Sequence, residues 1–309
     1  MDNVSALKKT LGENFVWNKA RLNYFARMLL ALFSVRTVNL SEIAVAFAAK
    51  AEVNSRYKRL QRFFRHFKID YVVLAKWIFK LFLADRQIYL TVDRTNWFWG
   101  KVKINILTLG IAYEGVAIPL LWILFNKAGN AKATEHGAIL RRFIDLFGKD
   151  CIAGVLADRE FANGNLFGWL NKEQIPFYIR IKNNSMVNIK NKKFRVAKKL
   201  FNYLLANQKS IFGMAIELFG QTIYLAGSRS GRGELMIVAT NRHPHNAIAI
   251  YLRRWEIETL FSCLKKQGFC FRTTHLTHLD RIEKMMALLV IGLCWAHKTG
   301  KWPAEKKPI

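Results

Sequence analysis

Acidic residues are scarce in this chain. Its 309 residues carry 49 Lys plus Arg against 21 Asp plus Glu, a formal net charge of +28. An excess of that size points to a polyanionic partner, nucleic acid ahead of an anionic membrane surface. Proline is rare, with 5 residues, and glycine stands at 18, which excludes a collagen-like or Pro/Gly-rich disordered chain. The four cysteines, Cys151, Cys263, Cys270 and Cys294, include no C-x2-C pair and form no disulfide framework. A reducing compartment fits them. Long hydrophobic runs are missing too. The stretch 104–125 is interrupted by Gly110, Tyr113, Glu114 and Gly115. The stretch 285–296 is about 12 residues, against the roughly 20 a bilayer needs. The first residues, MDNVSALKKTLGENF, lack the pattern of a secretory signal. The expectation is a cytoplasmic protein, nucleoid-associated and not membrane-bound, of about two domains.

Residues 1–85 have the pattern of a helical domain. Leu22, Phe25, Ala26, Leu29, Leu30 and Phe33 recur at the spacing of one helix face. Asn39 and Glu42 have the spacing of a capping box, opening a short helix over 40–49. Asn54 or Ser55 then caps a second helix over 56–68, and the pair resembles a helix-turn-helix unit. The second helix reads RYKRLQRFFRHFK and contains no acid. Tyr57, Leu60, Phe63, Phe64 and Phe67 fall on one side of it. Lys58, Arg59, Arg62, Arg65 and His66 fall on the other, a row suited to DNA phosphates.

Beyond residue 85 the pattern changes to an α/β core with a mixed sheet. Strands are expected over 87–92, 103–113, 116–124, 151–157 and 177–181, and helices over 135–147 and 161–172. Glu114-Gly115 marks a hairpin turn. The first part of the core thus covers 86–185. Residues 186–243 read as a basic β-rich insertion, with strand-like runs at 211–219, 222–226 and 234–239. The core resumes over 244–309 with helices, including an apolar one at 285–295, and ends in a basic tail at 301–309 expected to fray.

Two aspartates stand where apolar strands end, Asp93 after IYLTV and Asp158 after IAGVLA. A strand interior is a costly place for a carboxylate, and strand ends of α/β sheets are where ligands gather. On adjacent strands both would reach one divalent cation. A third element lies in YLRRWEIETLFSCLKKQ. Its Tyr251, Arg254, Glu258 and Lys265 share one face of a continuous helix, with Leu252, Leu260 and Cys263 on the buried side. An ordinary Arg254–Glu258 ion pair would use two of the same residues. His243, His245, Cys270, His275 and His278 show no ordered zinc-ligand spacing. Trp97 and Trp99 suit core packing better than base stacking.

The motif Y-x2-R-x3-E-x6-K, carried by Tyr251, Arg254, Glu258 and Lys265, resembles the signature of bacterial insertion-sequence transposases of the DDE type. The segment Ala157-Asp158-Arg159-Glu160-Phe161 is similar to that family's second-aspartate motif, and Thr91-Val92-Asp93-Arg94-Thr95 is more loosely similar to its first. The resemblance implies an RNase H-like catalytic core with Asp93 on the first strand, Asp158 at the end of the fourth and Glu258 on a late helix. It implies that these three acids hold two Mg2+ ions, with Mn2+ as a substitute, and that Tyr251, Arg254 and Lys265 grip phosphates. The implied reaction is cleavage at the element's ends followed by joining of the freed 3′-OH to target DNA. The implied partners are the terminal inverted repeats, target DNA and a second copy of the chain at synapsis. Two alternatives stay open: a metal-dependent nuclease on the same fold, and a non-catalytic DNA-binding descendant.

Overall fold

The computed structural model describes residues 3–83, 87–99, 102–125, 133–189 and 193–299. The expected boundary at 85, Lys190 and Lys192 of the expected insertion, and the basic tail at 301–309 lie outside the described residues.

The chain begins with five helices: α1 (Asn3–Asn14), α2 (Lys19–Val35), α3 (Leu40–Ala46), α4 (Val53–His66) and α5 (Tyr71–Leu83). Several of the starts and stops have a local cause. The Asn18 side chain accepts the Arg21 amide to open α2, and Arg36 closes it in the left-handed region at φ 54°. Asn39 opens α3 by accepting the Ser41 amide while its own amide group donates to Glu42. The two residues do pair, but the capped amide is that of Ser41 rather than Glu42. The structure corrects the expected cap of α4. That helix starts behind Glu52 with no side-chain cap bond, so Asn54 and Ser55 lie inside its first turn, exposed. The apolar side of α4 packs on α2. Leu60 and Phe64 are fully buried, and the Phe63 ring stacks on Phe67 at 4.3 Å. Lys58, Arg59, Arg62, Arg65 and His66 remain exposed.

The sheet begins with β1 (Ile88–Trp99), β2 (Val102–Tyr113) and β3 (Val116–Phe125), an antiparallel meander. Glu114 and Gly115 both take positive φ, 48° and 88°, which a tight two-residue hairpin requires. Helix α6 (Ala133–Phe147) leads to β4 (Ile152–Ala157), and α7 (Gly164–Lys172) leads to β5 (Phe177–Ile181). Both β4 and β5 run parallel to β1, giving the order β3-β2-β1-β4-β5 of an RNase H-like core.

The β-rich segment that follows contains β6 (Met186–Ile189), β7 (Lys193–Val196), β8 (Lys209–Leu218), β9 (Gln221–Arg229) and β10 (Leu235–Thr240). It does not fold into a sheet of its own. β10 pairs antiparallel with β5, and β9, β8, β6 and β7 continue outward to complete one ten-stranded sheet. The physical reason lies in β10, LMIVAT, where all but Met236 are buried, so it suits a central rather than an edge position.

The chain closes with α8 (Ala247–Leu252), α9 (Trp255–Ser262) and α10 (Leu279–Thr299). Every residue from Met285 to Cys294 is buried in α10, which lies against β3 and α2 and joins the N-terminal helices to the sheet. Among the described residues, no single helix is long and apolar enough to cross a membrane.

Candidate active site

Parallel pairing of β1 with β4 sets Val92 opposite Ala157. The next residue on each strand is an aspartate, so Asp93 and Asp158 emerge side by side at the same level of the sheet. Asp93 is held by its neighbour's backbone: the Arg94 amide donates to Asp93 Oδ1 at 2.7 Å. Side chains alternate along a strand, so Arg94 leaves on the opposite face. There its guanidinium meets Glu160 Oε2 at 3.1 Å, in the short 3-10 turn after β4. That ion pair ties β1 to the turn carrying Asp158. The sequence offered Glu160 only as part of the motif around Asp158; its partner Arg94 stands 66 residues earlier.

The third side of the site comes from α8 and α9. These are not one continuous helix. The amides of Arg253, Arg254, Glu256 and Ile257 each bond three residues back, overwinding the chain between the two helices. The overwinding turns Leu252 outward, 39% exposed, against the expectation that it is buried with Leu260 and Cys263, which are. A second departure follows α9, where residues Cys263–Gln267 form a π-helical turn.

Arg254 is the hub of the site. It is 5% exposed, and its guanidinium donates to Glu258 Oε1 at 2.7 Å and to the Tyr251 hydroxyl at 3.1 Å. It also lies 3.6 Å from Asp93 Oδ2. The Tyr251 hydroxyl in turn donates to Asp158 Oδ1 at 3.4 Å. One arginine and one tyrosine therefore link all three acids, Asp93, Asp158 and Glu258. Lys265 stands at the rim. Its ammonium donates to the Asn96 carbonyl on β1 at 3.4 Å and lies over the Trp97 ring.

The acids are not equivalent. Asp93 is more enclosed than Glu258, and burial pushes its carboxyl up to about 6; the nearby Glu160 and Asp158 add to this, while the Arg94 amide and Arg254 oppose it. Glu258 is half-exposed and, among the described residues, held by Arg254 alone. Among the described residues, no three His, Cys, Asp or Glu side chains converge as a ready ligand cluster. Burial keeps the Tyr251 phenol protonated, up to about 12, and lowers the Lys265 ammonium to about 8, with Arg272 contributing. Tyr251 and Arg254 face the acids, so any phosphate contact from them is made inside the acid pocket. Glu256 points away, pairing with Arg253 at 3.5 Å. Trp97 is buried against Phe271, and Trp99 stacks on His275 at 4.4 Å. Behind the site, His136 is buried on the Phe161 ring, and among the described residues neither ring nitrogen has a hydrogen-bond partner.

The RNase H-like sheet sets Asp93, midway along β1, beside Asp158, just past the end of β4, and a late helix brings in Glu258. The profile of the transposase DDE domain matches residues 91–295, two thirds of the chain, and this chain belongs to that family. Among solved structures, a cryo-EM structure of the piggyBac transposase synaptic complex with hairpin DNA is similar in fold. Its TM-score is 0.56 at 9% identity, over 97% of this chain and 73% of that one. No curated protein matches the sequence.

Proposed function

We propose that this transposase cuts DNA at the ends of an insertion sequence and joins the freed 3′-OH ends to target DNA. The observation that carries this reading is the linkage of Asp93, Asp158 and Glu258 through Arg254 and Tyr251. Such an array suits two successive phosphodiester substitutions at one place, first by water and then by the 3′-hydroxyl.

The donor set fits a hard divalent cation. All three groups are carboxylates, and Asp93 sits among like charges with Arg254 as its nearby countercharge. Asp93 and Asp158 would hold Mg2+, or Mn2+ in its place, and Glu258 would join them. Bound there, the metal would activate the attacking oxygen and stabilise the leaving one. The protein's own side chains do the rest. Arg254 orients Asp93 and Glu258, Tyr251 orients Asp158, and the Arg94–Glu160 pair ties the middle of β1 to the turn after β4. Lys265 offers a charge-assisted donor to a phosphate at the rim. The α4 row, Lys58, Arg59, Arg62 and Arg65, would hold the terminal inverted repeats. Two copies of the chain would pair two ends at synapsis, and the work would take place on the bacterial nucleoid in the cytoplasm.

The test is a cleavage and joining assay on the element's own ends. Asp93→Ala, Asp158→Ala and Glu258→Ala should each abolish cleavage while leaving DNA binding close to wild type. Mg2+ or Mn2+ should support activity and Zn2+ should not. Full cleavage by a folded variant removes that acid from the mechanism. Cleavage without joining, given a pre-cut 3′-OH end and a target plasmid, identifies a nuclease instead.

A further inference from the structure

The basic row of α4 does not face open solvent on all sides. Lys58, Gln61, Arg62 and Arg65 form one wall of an open groove of about 450 Å³, and Arg281 from the first turn of α10 stands in the other. Among the described residues, Lys58, Arg62, Arg65 and Arg281 form no ion pair. Arg59 differs from its neighbours on α4: its guanidinium leans back over the Tyr24 ring at 5.4 Å, and it does not line the groove. The acids closest in sequence to Arg281 are accounted for. Asp280 pairs with Lys284 at 3.4 Å, and Glu283 lies in the field of Arg142.

The two walls are held at a set separation. Lys284, one turn beyond Arg281, donates to the carbonyls of Phe64 and Arg65 at 3.0 and 3.4 Å. It thereby satisfies carbonyls that the end of α4 leaves free, and it anchors the basic helix to the core. A second pocket shares Gln61 and Arg281 with the groove; His275 lines that pocket and stacks on Trp99, the last residue of β1. Asp93 lies six residues back along that strand, or about 20 Å at roughly 3.3 Å per residue. Between them stand Lys265, bonded to Asn96, and Arg272, close enough to depress the Lys265 ammonium.

We infer that Arg281 and the α4 cations Lys58, Arg62 and Arg65 grip the phosphate backbone of one DNA duplex in this groove, so that the N-terminal helices and the catalytic core share a single DNA site. The inference rests on the reading of α4 as a DNA-binding helix and adds the opposite wall. Unpaired cations on both sides of an open channel attract a polyanion from either side. The anchor through Lys284 makes the spacing between the gripped backbone and the acids a property of the fold rather than of a linker.

Binding of a labelled duplex to the full chain, titrated at several salt concentrations, tests this. Arg281→Ala should weaken binding severalfold and lower the slope of log affinity against log salt by about one unit. Arg281→Lys, which keeps the charge, should restore the slope, and this separates a phosphate contact from a fold defect. A Lys58→Ala, Arg62→Ala, Arg65→Ala triple variant should lower the slope by about three units. If the triple variant loses affinity while Arg281→Ala binds with the wild-type slope, the shared groove is wrong and the α4 reading stands. If the triple variant also binds unchanged, the α4 reading falls with it.

Discussion

Two sets of arginines divide the labour of this molecule. Arg59, Arg62 and Arg65 on α4 are exposed and, among the described residues, form no ion pair. Arg254 is buried and spends its guanidinium on two acids and a tyrosine. The difference is one of surroundings, not of residue type. In water a cation's attraction to a protein carboxylate is weak and its field remains available to a distant polyanion. In the interior the same group must be paired, and once paired it orders what it touches. Positive charge on this protein is therefore solvent-facing and open to a polyanion in one place and a scaffold for carboxylates in the other.

The sharpest way to break the comparison is to remove the buried member. Arg254→Met should destabilise the fold by about 3–5 kcal/mol, because Asp93 is left enclosed without its countercharge. Urea unfolding at neutral pH measures this, and a loss within error of zero would show that Arg254 does not hold the acids. Arg254→Lys should recover only part of the loss, since one ammonium does not reproduce three directed donors.

A second test adds a cation where burial resists one. His136 packs on Phe161, and burial lowers its pKa to about 4, with Arg94 adding to the effect and Glu135 opposing it. A histidine whose folded pKa lies below its unfolded value of about 6.5 contributes stability above that value and loses it as pH falls toward 4. Stability should therefore drop by up to about 3 kcal/mol across that window. His136→Phe should flatten this part of the profile, and an unchanged slope would count against the buried neutral imidazole.

Smaller again is the anchor between the two regions. Lys284→Ala should cost about 1–3 kcal/mol by leaving the Phe64 and Arg65 carbonyls without their charged donor. Thermal unfolding measures it. The smallest stability effect should come from the exposed set. The Lys58, Arg62 and Arg65 triple alanine variant should change unfolding free energy by less than about 0.5 kcal/mol per site while weakening DNA binding strongly. A large stability loss in that variant would erase the distinction between the two sets.

Much of this was legible in the chain before its fold was known. The apolar stripe of α4 and its basic back are periodic, and periodicity survives without tertiary information. The apolar runs before Asp93 and Asp158 were readable as strands because a carboxylate that follows such a run is costly and therefore conspicuous, although β1 does not end there and continues past Asp93 to Trp99. The family resemblance rested on Tyr251, Arg254, Glu258 and Lys265, whose spacing is a local property of sequence. Other features were not legible. The overwound link at Arg253–Arg254 and the π turn at Cys263–Gln267 leave no reliable composition signal. Neither does the choice of β5 as the partner of β10, since a strand pattern does not name its neighbour.

The sequence by itself determined which faces are apolar, roughly where most helices and strands lie, the sign of the molecule's charge and the residue types available for chemistry. Those properties follow from side-chain identity and a repeat of two or 3.6 residues. Only the tertiary structure decided that Arg254 reaches Asp93 across 161 positions of chain, that Arg94 clasps Glu160 from the other face of the sheet, and that Arg281 stands opposite Arg62. Contacts of that kind depend on strand order and helix packing, which set what a charge meets, and a charge buried next to a carboxylate acts differently from the same charge in water.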